Sequence, residues 1–262
     1  MPRTIQRHTI NGEITVHSRF TTRRFTTRRL AAAAVAGAAA VAVLAPAASA
    51  AELGPRQGVQ TVADQAAAKL PAKLTVGSYI AYLKAQKTPE AKSTLKSFSA
   101  LPAAKKAKFV GYLQDGKIYG SLFKQLKGTL NLPVTNVTSY NADVKFVHSV
   151  SSKGGLKGGH LVTYSATEKI FNIPVTTEKL TLRYEVVKGK VQRNARAQAQ
   201  VTNVNAAYAI KGGAVKVAVK GIARADVTWK ATPRVQAVGK AVAKDQAVTG
   251  HTKTWTAQLI HG

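Results

Sequence analysis

The spacing of apolar residues changes near residue 130, and this change limits the chain to one class of fold. From about 62 to 127 the apolar residues recur with a helical period, whereas from about 135 onward they alternate with polar residues and Val and Thr are frequent. We therefore predict an α+β protein. A short N-terminal helical region over 62–130 precedes an antiparallel β domain over 135–262, which forms a β-sandwich or a curled barrel-like sheet.

Capping residues predict four short helices in the first region. Thr75 can cap a segment with one apolar face, and Thr88-Pro89-Glu90 supplies a cap, a first-turn proline and an early acid for the next helix. A third helix follows Pro102, and a fourth short element reaches Gly128, which has the position of a C-terminal stop. Aromatic residues are frequent here because short helices need large side chains to bury enough area.

Turn residues divide the second region into hairpins. The glycine-rich stretch 152–159 separates strands at 144–151 and 160–171, and Lys188-Gly189-Lys190 separates strands at 180–187 and 191–204. The alternating run 214–230 is long for one strand, so Gly221 is expected to mark a bulge or bend in it. Two further strands are predicted, within 234–248 and 252–260.

The strand alternation also predicts which polar side chains share a face. One polar row runs along the strand after Lys190, and several cations have the outward phase of the run 214–230, so both sets form one surface if the two strands lie in one sheet. Such a surface can hydrogen-bond a polymer or a partner protein, although an ordinary solvated sheet face has the same pattern. The candidate binding residues are Gln192, Asn194, Arg196, Gln198, Gln200, Lys216, Lys220 and Arg224.

The first fifty residues have the pattern of an export signal. Basic residues precede the uncharged run 30–44, and Ala48-Ser49-Ala50 is a small-residue cleavage site. The run is shorter than the roughly 20 apolar residues that span a bilayer. We expect a bacterial signal peptide over 1–50, cleavage near Ala50, a flexible mature N-terminus over 51–61, and a secreted protein with no membrane span in its mature chain.

The charge is strongly positive throughout. The chain has 39 Lys and Arg against 11 Asp and Glu, a net charge of +28, and the first fifty residues contain only seven of those bases and one of the acids. Most of the remaining bases are Lys, and they are spread along the chain. This distribution suits attraction to anionic polymers, whereas proteins that read nucleic-acid sequence favour clustered Arg, so we expect no sequence-specific nucleic-acid binding.

Motifs for catalysis are largely missing. The absence of cysteine excludes disulfides, thiolate metal sites and cysteine nucleophiles. Ser93-Thr94-Leu95-Lys96 matches a Ser-x-x-Lys nucleophile pattern, but the Ser-Asp-Asn and Lys-Thr-Gly elements that accompany it in penicillin-recognising enzymes are absent. Glu178 and Glu185 are seven residues apart on one predicted strand and should face opposite ways. We expect no catalytic site, no metal and no cofactor.

Three functions are compatible with these features. The first is a secreted, non-catalytic binding or adaptor protein with a secreted protein partner, in a more specific form a subunit of a secreted antibacterial toxin assembly. The second is a polycationic protein that associates with anionic cell-envelope polymer or extracellular nucleic acid. The third is a small secreted hydrolase whose residues meet only in three dimensions.

Overall fold

The structure is a computed structural model that describes residues 70–155 and 158–262. The predicted signal peptide and the predicted flexible N-terminus lie outside the described residues.

Four helices begin the described part, as the capping residues predict. The side-chain oxygens of Thr75 and Thr88 accept hydrogen bonds from the backbone N–H groups of Ser78 and Ala91, at 3.1 and 3.2 Å, which fixes the starts of the first two helices. The helices are α1 (Val76–Ala85), α2 (Pro89–Ser99), α3 (Ala103–Leu113) and α4 (Gly116–Gly120). No helix in the described residues is both long enough and apolar enough to cross a membrane.

Twelve strands follow and form two antiparallel sheets, one curled like half a barrel, so the predicted fold class is confirmed. They are β1 (Lys124–Thr129), β2 (Val134–Ser139), β3 (Val144–Gly154), β4 (Gly159–Ile170), β5 (Ile173–Val187), β6 (Lys190–Val191), β7 (Arg196–Asn203), β8 (Tyr208–Gly212), β9 (Lys216–Val219), β10 (Ala223–Pro233), β11 (Val242–Gly250) and β12 (Thr254–His261).

The chain crosses between the two sheets twice. Sheet A has the order β1-β12-β11-β10-β8, with β9 also beside β10, and sheet B has the order β2-β3-β4-β5, with β6 and β7 both beside β5. The inner faces of the two sheets and the apolar faces of the helices form the larger of two buried hydrophobic clusters in the described residues. Its largest fully buried side chains include Trp229, Trp255, Tyr164, Tyr79 and Phe98.

The predicted hairpins are present, with one correction. Lys188 and Gly189 have φ values of 49° and 73°, the left-handed pair that a two-residue hairpin turn requires, and they join β5 to β6. Gly221, at φ 72°, lies instead in the turn between β9 and β10, so 214–230 is a hairpin rather than one bent strand. The alternation of apolar and polar residues continues through this turn, so the sequence pattern does not show where the chain reverses direction.

Gly128 does not end a helix, contrary to the prediction. It lies on β1 opposite Trp255, and the indole occupies the space that a Cβ at this position would need. The fourth helix ends earlier, at Gly120, so Leu126 belongs to a strand. The glycine is therefore a packing requirement of the Trp255 side chain.

Gly128→Ala is expected to lower the free energy of unfolding by about 1–3 kcal/mol, because the buried Trp255 ring must move to admit the methyl group. Gly159→Ala is the matched control: this strand glycine has no atom within 4 Å of an added Cβ. Urea unfolding followed by circular dichroism measures both variants. Equal stability of the two would contradict the role assigned to Gly128.

Candidate functional site

The outer face of sheet B is a regular array of hydroxyl, amide and cationic side chains. Inward and outward residues alternate along β3, β4 and β5, and β7 continues the array at one side. No aromatic residue occupies an outward position among the described strands of this sheet. The outward residues of the three central strands include Lys145, Val147, Ser149, Ser151, Lys153, Leu161, Thr163, Ser165, Thr167, Lys169, Thr177, Lys179, Thr181, Arg183 and Glu185.

Cross-strand pairs hold these hydroxyl groups in register. The hydroxyl of Thr163 is 3.1 Å from that of Thr181, and the same contact between Thr167 and Thr177 measures 3.0 Å. β7 adds Gln198 beside Thr181 in the same row. The face therefore presents repeated donors and acceptors along neighbouring strands.

Cations on this face lie opposite one another. Arg183 on β5 pairs directly with Arg196 on β7, and Lys145 on β3 pairs with Lys169 on β4. Like charges placed directly opposite across a strand pair are unfavourable. None of these four side chains makes a salt bridge among the described residues. Arg183 and Arg196 also border a shallow depression of about 390 Å³.

The structure divides the predicted binding residues between the two sheets. Arg196, Gln198 and Gln200 are exposed on β7 and belong to the outer face of sheet B, and Gln192 and Asn194 lie in the connection that leads to it.

The remaining three predicted residues belong to sheet A. Lys216 is on β9, Lys220 is in the following turn, and Arg224 is on β10, where its guanidinium binds Asp226 at 2.6 Å. The two strands lie in different sheets, so the condition for a single shared surface is not met. Sheet membership depends on which strands pair, and strand alternation does not encode that pairing.

A second polar site is buried between the sheets. Glu178 on β5 and Lys244 on β11 are both completely buried, and the Lys244 Nζ is 2.9 Å from Glu178 Oε1. The Tyr119 hydroxyl donates a hydrogen bond to the same oxygen at 2.5 Å, and its ring centroid is 3.4 Å from Nζ. Glu168 on β4 is also buried, one step diagonally from Glu178 on the inner face of the β4–β5 hairpin.

Burial controls the protonation of these groups. Loss of solvent raises the pKa of Glu168 to about 7, with Lys244 opposing and Glu178 adding to the rise. It also lowers the pKa of Lys244, although Glu178 and Glu168 oppose this shift. Burial, reinforced by Glu178, raises the pKa of Tyr119 far above its ordinary value. Tyr119 therefore remains a hydrogen-bond donor.

Several buried polar atoms lack hydrogen-bond partners in this cluster and in Tyr208, whose ring packs against that of Tyr119. Among the described residues, Glu178 Oε2, Glu168 Oε2 and the Tyr208 hydroxyl are buried without a partner. Lys244 Nζ is close to Glu178 Oε1, but the angles of the contact are not those of a hydrogen bond. Unpaired polar atoms are costly in a protein interior, so the cluster requires an explanation.

Sequence reasoning missed the buried cluster, although the strand alternation contains its signal. Glu168 has the same phase as the core residues Tyr164 and Ala166, and Glu178 has the same phase as Leu180. Charged residues are unusual at strand positions that face the core. A charged residue at such a position therefore indicates a buried polar site. The expectation that Glu178 and Glu185 face opposite ways is confirmed, since Glu185 is exposed.

Ser93 and Lys96 of the Ser-x-x-Lys match are both exposed on the surface of α2. Ser93 lies on α2 beside a groove of about 380 Å³, whose described lining includes Glu90 and Thr94 but no histidine. His148 and His160 do not meet across their hairpin, because His148 lies opposite Ala166 whereas His160 lies opposite Gly154.

The remaining chemistry of the described residues is likewise limited. No group of three or more His, Asp or Glu side chains in the described ranges is arranged to hold a metal ion. The fold and the two polar sites define a cysteine-free α+β protein with two antiparallel sheets. Comparison with protein-family models, curated proteins and solved structures found no match.

Proposed function

We propose that this protein is an exported, non-catalytic binding protein that holds an extended anionic polymer on the outer face of sheet B. The observation that carries the proposal is the pairing of Arg183 with Arg196 in a row of regularly spaced polar side chains. Two arginines at directly opposite positions of a strand pair repel each other unless a counterion lies near them. A bound phosphate or carboxylate between them would convert this repulsion into two charge-assisted hydrogen bonds.

The arrangement of charge favours a polymer over a small anion. Lys145 and Lys169 lie near one end of the strands, Lys179 near the middle, and Arg183 and Arg196 near the other end. Along β4, eight residues separate Lys169 from Leu161, the partner of Arg183, which is roughly 26 Å at about 3.3 Å per residue. The cations therefore follow a diagonal track that suits a chain with repeated negative charges.

Acidic residues do little to neutralise this track. Glu185, at its margin, is the one acid on the face in the described residues. Elsewhere Asp143 accepts a hydrogen bond from Tyr112, and Asp226 pairs with Arg224. Because these acids have partners elsewhere, they do not neutralise the cations of this face. The face therefore has a net positive potential that attracts polyanions.

The surface chemistry also restricts the kind of ligand. Stacking on bases or sugar rings needs aromatic side chains, and this face has none in its described strands. Hydroxyl, amide and ammonium groups recognise repeated charge and hydroxyls without reading sequence. A phosphodiester polymer of the cell envelope fits this description better than a specific nucleic acid.

Replacing Lys179, Arg183 and Arg196 together with Gln is expected to weaken binding to poly(glycerol phosphate) about tenfold at low salt. The slope of log affinity against log salt should fall by about three, because three cation contacts are lost. Fluorescence anisotropy with labelled polymer measures both quantities, and uncharged dextran should not bind.

The matched control replaces three exposed lysines of sheet A, Lys127, Lys216 and Lys230, with Gln. It changes the net charge by the same amount and is expected to lower the affinity much less. Equal losses in both triple variants would show that binding follows net charge and would contradict the assignment to this face.

A protein partner is the second candidate, and a different observation favours it. In the described residues β2 pairs only with β3, so its other edge can accept a further strand. Leu132, Val137 and Tyr140 lie at or beside this edge and are 61%, 54% and 39% exposed. In this proposal the protein is an adaptor, and in its narrower form a subunit of a secreted antibacterial toxin assembly.

A pull-down from culture medium at low and at near-physiological salt separates the two candidates. A stoichiometric protein that survives the higher salt supports the adaptor, and Val137→Lys should release it by placing a charge at the β2 edge. Capture that is lost at the higher salt supports polymer binding.

A further inference from the structure

The buried contact between Lys244 and Glu178 joins the two sheets. Lys244 is on β11 of sheet A and Glu178 is on β5 of sheet B, and neither side chain has any exposed surface. Gln246, two residues after Lys244, donates weak hydrogen bonds of 3.4 Å to the backbone oxygens of Glu178 and Tyr164. It is itself held by the Trp229 indole at 2.8 Å. Gln246 therefore holds β11 against β5 next to the contact between Lys244 and Glu178.

We propose that Lys244 and Glu178 condense to form an intramolecular isopeptide bond between the two sheets. In this reaction the Lys244 Nζ attacks the Glu178 carboxyl carbon, a C–N bond forms, and one C–O bond of the carboxyl group breaks. An ammonium and a carboxylate become an amide and one water molecule, so charge and atoms balance without an oxidant, a reductant or an external reactant.

The surroundings provide what this condensation needs. An amine is a nucleophile only when it is neutral, and burial moves the pKa of Lys244 in that direction. Tyr119 donates its hydrogen bond to Glu178 Oε1, where negative charge develops as the amine adds. Because the groups are held together in a site sealed from water, the effective concentration is high and hydrolysis of the product is disfavoured.

We assign Glu168 as the proton carrier. It lies diagonally from Glu178 on the inner face of the hairpin, within the reach that long side chains have across neighbouring strands. Burial keeps it protonated up to about pH 7, so it can first give its proton to the departing oxygen and, once ionised, take a proton from the nitrogen that has added.

The bond also accounts for the unpaired atoms of the cluster. Lys244 Nζ and Glu178 Oε2 are buried without hydrogen-bond partners among the described residues. Keeping two buried charges in this condition is costly, and an amide removes both charges and one oxygen atom. A chain without cysteine thereby gains a covalent connection between its sheets.

Mass spectrometry of the denatured, full exported protein tests the bond directly. After its N-terminus has been sequenced, its mass is expected to be lower than that of the corresponding sequence by one water molecule. Digestion should yield a branched peptide that joins the segments containing residues 178 and 244. A mass equal to that of the sequence, with these segments on separate peptides, would overturn the proposal.

Three variants test the assigned roles. Lys244→Arg keeps the positive charge but removes the nucleophile, so its mass should equal that of its sequence, and Lys230→Arg, an exposed control, should still lack one water. Glu168→Gln should fold, as circular dichroism can show, but it should not form the isopeptide bond. Its mass should therefore equal that of its sequence. Full cross-linking in Glu168→Gln would overturn the role of Glu168. A branched peptide that uses a lysine other than Lys244 would overturn the assignment of the bond.

Discussion

Lys244→Met is expected to lower the free energy of unfolding by at least about 3–5 kcal/mol, the usual cost of leaving one partner of a buried ion pair alone. Met has a similar length but no amino group, so Glu178 remains fully buried without its cation. Loss of the proposed cross-link would add about 4 kcal/mol, the chain-entropy value for closing a loop of this size. Together these terms are large enough to unfold a domain of ordinary stability.

The double variant Lys244→Met with Glu178→Leu separates the two contributions. It removes the unpaired carboxylate, so its stability should recover by the cost of the buried charge, while the deficit from the missing cross-link remains. Lys230→Met, at an exposed position on β10, should change stability by less than about 0.5 kcal/mol. Urea unfolding measures all three variants. A loss below about 1 kcal/mol in Lys244→Met would contradict the structural importance of the pair.

Glu168 is expected to make the folded protein more stable at mildly acidic pH than above pH 7. Burial raises its pKa from an ordinary 4.5 to about 7, so the folded protein retains a proton that the unfolded chain has released. This contribution is complete below about pH 4.5 and is lost as the pH rises through about 7, a difference of about 3 kcal/mol. Because desolvation is the largest cause, the direction holds with or without the cross-link.

His148 has the opposite effect on the pH dependence of stability, over much of the same pH range. It is buried and lies 2.8 Å from the Tyr164 hydroxyl, and burial, with Lys124 and Lys244 adding, lowers its pKa from 6.5 to about 4. Its contribution is therefore complete above about pH 6.5 and is lost as the pH falls toward 4. The two groups oppose each other in the wild-type protein.

Single substitutions should separate these two effects. The stability of Glu168→Gln should rise with pH between about 4.5 and 6.5, whereas that of His148→Gln should fall between about 5 and 7. Thermal unfolding across a pH series measures both. Glu185→Gln, an exposed control, should keep the wild-type dependence of stability on pH. If Glu168→Gln also keeps it, Glu168 is not the source of the stability that is lost above pH 7.

Local signals in the chain account for much of the fold. The Thr75 and Thr88 caps start their helices where predicted, and the Lys188-Gly189 turn forms its hairpin, because each depends on neighbouring residues alone. Gly128 and Gly221 were assigned incorrectly as a helix end and a strand bend. Gly128 is needed because the Trp255 ring occupies the space of a Cβ at this position. Trp255 is far away in sequence, so no local pattern predicts this contact.

The candidate binding face was predicted in part. The outward phase of Arg196, Gln198 and Gln200 follows from the two-residue period of a strand. The pairing of Arg183 with Arg196 was not predicted, since it depends on the register of β5 against β7. A residue's phase within its strand is local, whereas its neighbour across the sheet is decided by the turn and by core packing.

The sequence by itself determined the α+β order, the helix caps, the hairpin turns and a basic composition without cysteine, because these depend on spacing and residue type. Only the tertiary structure decided that Lys216 and Arg224 belong to a different sheet from Arg196, and that Lys244 meets Glu178. Strand alternation sets only whether a side chain faces the core. Which buried charges then meet depends on how two sheets, assembled from distant segments, pack against each other.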